Sequence, residues 1–239
     1  MTLYADTAAA YARFRAEDPR IAAAVRAALG DAATVVNVGA GQGAYEPRDR
    51  QVTAVEPEPS MTAAAGRPAV QASAEALPFD DDSFDAAMAV LTVHHWSDWR
   101  AGVAEMRRVA RSHVVILTFD PRLSRRLWLV DEYLPELGEV DAARFPLPEE
   151  VGDVSVVEVP WDCRDGFQGA YWRRPWLYLE PERQRAISSL ELLPEAVRAR
   201  TFRRLRDDLE SGAWVERHAD LLARTSLDLG YRLVRAYAS

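Results

Sequence analysis

The hydrophobic positions of the chain change period several times, and each change marks an element. Between Pro19 and Gly30, the residues Ile21, Val25 and Leu29 fall on one stripe at helical spacing, with Pro19 suited to the first turn and Gly30 to the end. The apolar run at 34–38 reads as a buried strand, and a second strand follows at Val52 to Glu56. Few residues separate Gly43 from Val52, with Pro47 among them, so only a turn or two of helix fits there. A helix over 58–65 leads to a short strand at Ala69–Gln71. The turn Phe79-Asp80-Asp81-Asp82-Ser83 opens onto a buried strand, Phe84 to Val93. Val103, Met106 and Val109 make Asp98 to Arg108 an amphipathic helix, after which His113 to Phe119 is a further strand.

Strands alternating with helices predict an α/β fold whose mostly parallel sheet carries helices on both faces. After Pro121 a helix is expected through Leu123, Leu127, Val130 and Leu134, followed by strands at Val154–Val159 and Leu229–Tyr237. The long helical stretch between those two strands, including a helix over 194–212, exceeds a plain crossover and is expected to cap the ligand site. The expected organisation is a single domain: an N-terminal helical cover at 1–33, a cofactor-binding core at 34–160, a helical cap and substrate region at 161–226, and a final strand at 227–239. The sheet would have seven strands.

Charge and composition narrow the function. A net charge of −8 disfavours a general nucleic-acid binder, whose affinity comes from neutralising phosphates. All 29 basic residues are arginine, which removes the P-loop lysine, the pyridoxal Schiff base and any catalytic lysine amine. A single cysteine, Cys163, excludes an intrachain disulfide and a Cys-rich zinc site, and a reduced cytoplasmic setting is expected. No stretch has the apolar length of a membrane span, and Asp6, Arg13, Arg15, Glu17 and Asp18 interrupt the start of the chain where a signal peptide would be continuous.

The candidate chemistry begins at Val35-Val36-Asn37-Val38-Gly39-Ala40-Gly41-Gln42-Gly43, a strand that runs into three alternate glycines. Glycine lets a ligand approach the backbone, and N–H groups after such a strand can face a polar group. Gly39-x-Gly41-x-x-Ala44 satisfies a dinucleotide fingerprint. Glu56, at the end of the second strand, could accept hydrogen bonds from the ribose hydroxyls of any adenosine. It therefore does not choose between NAD and other adenosine cofactors.

The stretch Ala72-Ser73-Ala74-Glu75-Ala76-Leu77-Pro78-Phe79 through Asp85, with Ala86 to Val93 and His94-His95-Trp96 after it, does choose. With Gly39-x-Gly41-x-Gly43 and Glu56, it resembles the class I methyltransferases that use S-adenosylmethionine (SAM), in particular the type 11, ubiquinone-biosynthesis-like branch. The resemblance covers about 34–118. It implies a Rossmann-like fold with SAM as cofactor, the backbone of Gly39, Ala40 and Gly41 beside its homocysteine part, Glu56 on the ribose and Met61 near the adenine. Ala74 and Glu75 would face the adenine edge, and Leu91 or Thr92 would lie beside the sulfonium. Tyr11 and Arg15 look like the N-terminal segment that covers the cofactor in related small-molecule enzymes, with Arg15 placed to fork the SAM carboxylate. Asn37 stands where many members carry aspartate, so weaker cofactor binding is expected.

His94 and His95 follow the strand at whose end the methyl group should project, which makes His95, and next His94, candidates for a general base. Asp80, Asp81, Asp82 and Asp85 precede that strand and read as a solvated turn, so no metal is expected. The expected activity is metal-independent methyl transfer to a small, apolar or aromatic acceptor. An NAD(P)-dependent reductase on the same half-fold and a non-catalytic SAM-binding scaffold are the rivals.

Overall fold

The structure, a computed structural model, describes residues 13–66 and 68–238. Contacts divide the chain into two compact units. One comprises residues 17–120, 144–157 and 231–238, the other residues 13–16, 121–143 and 158–230.

The first unit is built on one sheet. Helix α1 (Pro19–Ala28) begins at Asp18, whose carboxylate accepts from the Arg20 N–H, and it buries Ile21, Ala22 and Val25 as the sequence stripe predicts. Strands β1 (Thr34–Val38) and β2 (Gln51–Val55) pair in parallel. Helix α2 (Pro59–Ala65) and strand β3 (Phe84–Val90) follow, and β3 pairs in parallel with the other side of β1. Helix α3 (Trp99–Val109) is capped by Asp98, which accepts from the N–H groups of Arg100 and Ala101. It leads into β4 (Ala110–Phe119), parallel to β3.

After helix α4 (Glu136–Arg144), strand β5 (Asp153–Val156) and the last strand of the chain complete this sheet. That last strand is Tyr231–Tyr237, β8 in chain order, and it runs antiparallel to both β4 and β5. The strand order is β2-β1-β3-β4-β8-β5. Val36, Val38, Val55, Ala87, Ala89, Val114 and Ile116 from the sheet pack with Val103 and Met106 of α3 in a continuous buried core. This is the Rossmann-like, mostly parallel architecture that the alternation predicts.

The sheet has six strands where seven are expected. The segment at 69–71 makes only an isolated bridge, Val55 to Val70, with hydrogen bonds from Val70 N to Ala54 O and from Glu56 N to Val70 O. The predicted strand 154–159 is also divided. Asp153 to Val156 are all exposed on the sheet edge, paired with the last strand, whereas Val159 and Pro160 are buried and pair in the other unit, so pairing partners divide the segment.

In the second unit β6 (Val159–Pro160) pairs antiparallel with β7 (Ser226–Leu227), and helices α5 (Pro181–Arg185), α6 (Ser188–Glu191), α7 (Glu195–Ser211) and α8 (Ala213–Arg217) lie between them in sequence. Gly212 takes a left-handed φ of 83° and ends α7 where the sequence places its stop. The helix expected after Pro121 is instead a 3₁₀ turn, Pro121–Arg126, followed by a π turn, Leu129–Tyr133. Four consecutive residues there, Leu127 to Val130, are all buried, and a regular α-helix would spread them around its circumference. Trp128 is the centre of this unit's core, with the rings of Tyr133, Tyr178 and Trp214 within 5.7 Å and its indole N–H donated to Trp172 O at 2.7 Å. Phe167, Tyr171, Trp172 and Tyr178 are core residues, while Trp161 and Trp176 are exposed.

At the amino ends of β1 and β3, Asp85 accepts from Ala33 N, Thr34 N and Thr34 Oγ1 at 3.0, 2.8 and 2.9 Å and pairs with Arg111 at 2.8 Å. Arg111 first, then the Thr34 donors, hold its carboxyl well below the ordinary carboxylate range. A depressed carboxyl stabilises the fold above its unfolded pKa, near 3.9, and loses that contribution as pH falls further. The stability difference between wild type and Asp85→Asn, measured by urea unfolding, is therefore expected to be full at pH 7 and to shrink steadily below about pH 4.

Candidate functional site

The strand order reverses at β1. From there the chain steps outward to β2 and then back across to β3, which brings the carboxyl ends of β1 and β3 together at a crevice where open α/β sheets bind ligands. Gly39, Gly41 and Gly43 have φ of 70°, 51° and 83°, a region that side chains disfavour. A Cβ on Gly39 would overlap the Thr92 hydroxyl and stand 2.9 Å from its Cγ2. The loop is anchored by Val55 O, which accepts from both Gly39 N and Ala40 N at 2.9 Å, and it closes through Gly43 N to Ala40 O at 2.8 Å. On the β3 side, Leu91 is itself left-handed, with φ of 51°, and its N–H donates to Leu117 O at 2.8 Å. Such strain in a non-glycine residue concentrates at functional sites.

Three further candidates meet this loop. Glu56 Oε2 accepts from Gly41 N at 2.8 Å and Oε1 from Glu58 N at 3.2 Å, leaving each oxygen a second lone pair for a ligand hydroxyl. Met61 reaches over the loop, its Cε 3.7 Å from where a Gly41 Cβ would be. Asn37 is buried on β1 and donates from Nδ2 to Glu46 Oε1 at 2.7 Å, while its Oδ1 is buried with no hydrogen-bond partner.

Ala74 is buried against the start of α3. Glu75 has turned to that helix: its Oε1 accepts from Ser97 N, Ser97 Oγ and Asp98 N at 2.8, 2.8 and 3.1 Å. Burial acts to raise its carboxyl, but the hydrogen bonds from Asp98 and Ser97 outweigh burial and lower it.

His94 and His95 sit on a 3₁₀ turn, Val93–His95, just beyond Thr92. Their ring centroids are 4.0 Å apart, and His94 stacks on Phe145 at 4.2 Å. Arg144 Nη2 lies 3.1 Å from His95 Nδ1. A guanidinium only donates, so His95 Nδ1 is the acceptor and the ring proton is on Nε2. In that tautomer His95 takes up a proton only by giving up Arg144.

Arg15 is in the other unit, where its Nε donates to the buried Asp165 at 2.5 Å. Tyr11 lies outside the described residues. Of the acidic turn, Asp81 is held by Arg108 and Asp85 by Arg111. Among the described residues no group of His, Cys, Asp and Glu is arranged to hold a metal ion, and no helix is long and apolar enough to cross a membrane. Sequence reasoning missed Glu46 and Arg144. Neither belongs to a motif; folding alone sets them against Asn37 and His95.

The methyltransferase domain family matches residues 36–118, which contain the whole of this crevice. A putative methyltransferase from an antibiotic biosynthesis pathway of Anabaena variabilis is 32% identical in sequence, and its solved structure matches 94% of this chain and 99% of its own with a TM-score of 0.84. The chain belongs to the class I methyltransferase family. An uncharacterized methyltransferase of Bacillus subtilis, YcgJ, is 33% identical over 116 residues, which are 43% of this chain and 42% of that protein, so the match spans less than half of either. A SAM-dependent methyltransferase of Thermotoga maritima, a possible histamine N-methyltransferase, is 25% identical, with 53% of this chain and 61% of that one covered and a TM-score of 0.42.

The residues of this methyltransferase's loop are compatible with a SAM-type cofactor, which its family uses: the loop is left-handed at its three glycines, Glu56 offers acceptor lone pairs at Gly41, and the buried Asn37 Oδ1 has no hydrogen-bond partner. Replacing Gly39 by alanine is expected to destabilise the protein by about 1–3 kcal/mol, from the positive φ and the overlap with Thr92. Thr92→Ala removes part of the overlap, so the double variant should recover at least about 0.5 kcal/mol relative to additivity, measured by urea unfolding.

Proposed function

We propose that the protein is a metal-independent methyltransferase that moves the methyl group of SAM to a small, apolar or aromatic metabolite. The glycine cradle between β1 and β3, with Glu56 at its rim, carries this reading within the family assignment. SAM, when bound, supplies a methyl group activated by a positively charged sulfur. The backbone of Gly39, Ala40 and Gly41 would hold its amino-acid part, Glu56 would accept from the ribose hydroxyls, and Met61 and Ala74 would pack near the adenine. Leu91 and Thr92 define the edge at which the acceptor meets the methyl. The likeness to a protein from an antibiotic biosynthesis pathway supports a small organic acceptor, and a net charge of −8 argues against a nucleic acid. One buried cysteine fits a reduced cytoplasmic setting.

In-line displacement at a sulfonium depends on alignment of nucleophile, carbon and sulfur, and alignment alone supplies much of the rate. His94 and His95 stand on the acceptor side as positioning groups, with Arg144 holding His95 as a hydrogen-bonded neutral ring. A general base contributes about 10²–10⁴-fold. His94→Ala and His95→Ala are each expected to lower kcat by less than about tenfold, with the pH profile unchanged. A loss of 100-fold or more together with a vanished acidic limb would instead make that histidine the base.

Calorimetry tests the cofactor. SAM and S-adenosylhomocysteine should bind and NADH should not; heat from NADH alone would overturn the reading. Binding without turnover on any extract of small metabolites would identify a scaffold in place of an enzyme.

A further inference from the structure

Asn37, two residues before Gly39 on β1, is buried and uncharged. Its side chain is almost fully buried, at 2% exposure, and donates from Nδ2 to Glu46 Oε1 at 2.7 Å. A carboxylate only accepts, so this contact fixes the amide orientation and turns Oδ1 away from Glu46. Oδ1 has no partner in the structure although it is buried, and a buried acceptor left unpaired is costly unless a donor arrives there. The backbone at Glu46 is held by the turn before it. Its N–H donates to Gly43 O at 3.3 Å, and the preceding Tyr45 is buried with a left-handed φ of 68°, which fixes the turn. The same few residues, Gly39 to Gly43, thus connect the cradle to Glu46 directly.

We infer that Glu46, oriented by Asn37, provides the negative charge for the ammonium group of the amino-acid part of SAM, in place of an acidic residue on β1. This rests on the proposed use of SAM. The ammonium has three donors, and the Glu46 carboxylate and the Asn37 Oδ1 offer it one charged and one neutral acceptor. The charge has not been lost from the site; it comes from nine positions further along the chain, through the Asn37 hydrogen bond.

Two ligands and two variants test this by calorimetry. S-Adenosylhomocysteine carries the ammonium, and methylthioadenosine has the same adenosine and sulfur without the amino-acid group. Glu46→Gln is expected to weaken S-adenosylhomocysteine about tenfold or more and to leave methylthioadenosine within about twofold. The exchanged pair Asn37→Asp with Glu46→Gln restores one carboxylate and one amide in reversed order, and should regain most of the lost affinity. Unchanged S-adenosylhomocysteine affinity in Glu46→Gln overturns the inference. So does an equal loss for both ligands, which would mark a structural role in the loop, and so does an exchanged pair that regains nothing. Wild-type protein that binds neither ligand would remove the SAM reading itself, and this inference with it.

Discussion

The absence of room for a Cβ between Gly39 and Thr92 is the constraint on which the site depends. A Cβ at Gly39 would overlap the Thr92 side chain just beyond β3, and the left-handed φ of Gly39 is one that side chains disfavour. Val55 O then captures two successive N–H groups of the loop, and Glu56 captures a third. The loop's shape is therefore fixed by its neighbours in the sheet, before any ligand contributes. A site prepared in this way loses little freedom on binding, which favours affinity.

Charge in the crevice follows a similar economy. Glu56 accepts from the loop at Gly41 N and Glu46 from Asn37 on β1, while Glu75 serves the start of α3 through three donors. A carboxylate holding three donors orders the 97–98 corner and brings the 3₁₀ turn of His94 and His95 into a defined place. In the same way Arg144 removes the freedom of the His95 tautomer. Positioning dominates among these groups, which suits a displacement whose rate depends on alignment.

Much of the fold was legible in the sequence. In the sheet unit the stripe of Ile21 and Val25, the run at 34–38, the Gly39 to Gly43 loop and the helix after Asp98, and in the other unit the stop at Gly212, depend on spacing and local conformation, and the structure places them where the pattern does. The departures have a common character. The bridge at Val70, the division of 154–159 and the irregular turns of 121–133 all occur where pairing partners or all-round burial override local period.

By itself the sequence determined the alternation of strands and helices through residue 119, the glycine loop after β1, the absence of lysine chemistry and the family resemblance, because each is written in neighbouring residues. Only the tertiary structure decided what the candidate side chains do. Asn37 orients Glu46, Glu75 faces Ser97 and Asp98, Arg15 pairs with Asp165, and His95 accepts from Arg144. The physical reason is that a hydrogen bond requires its two groups within about 3 Å, and for residues on different elements only the packing of those elements sets that distance.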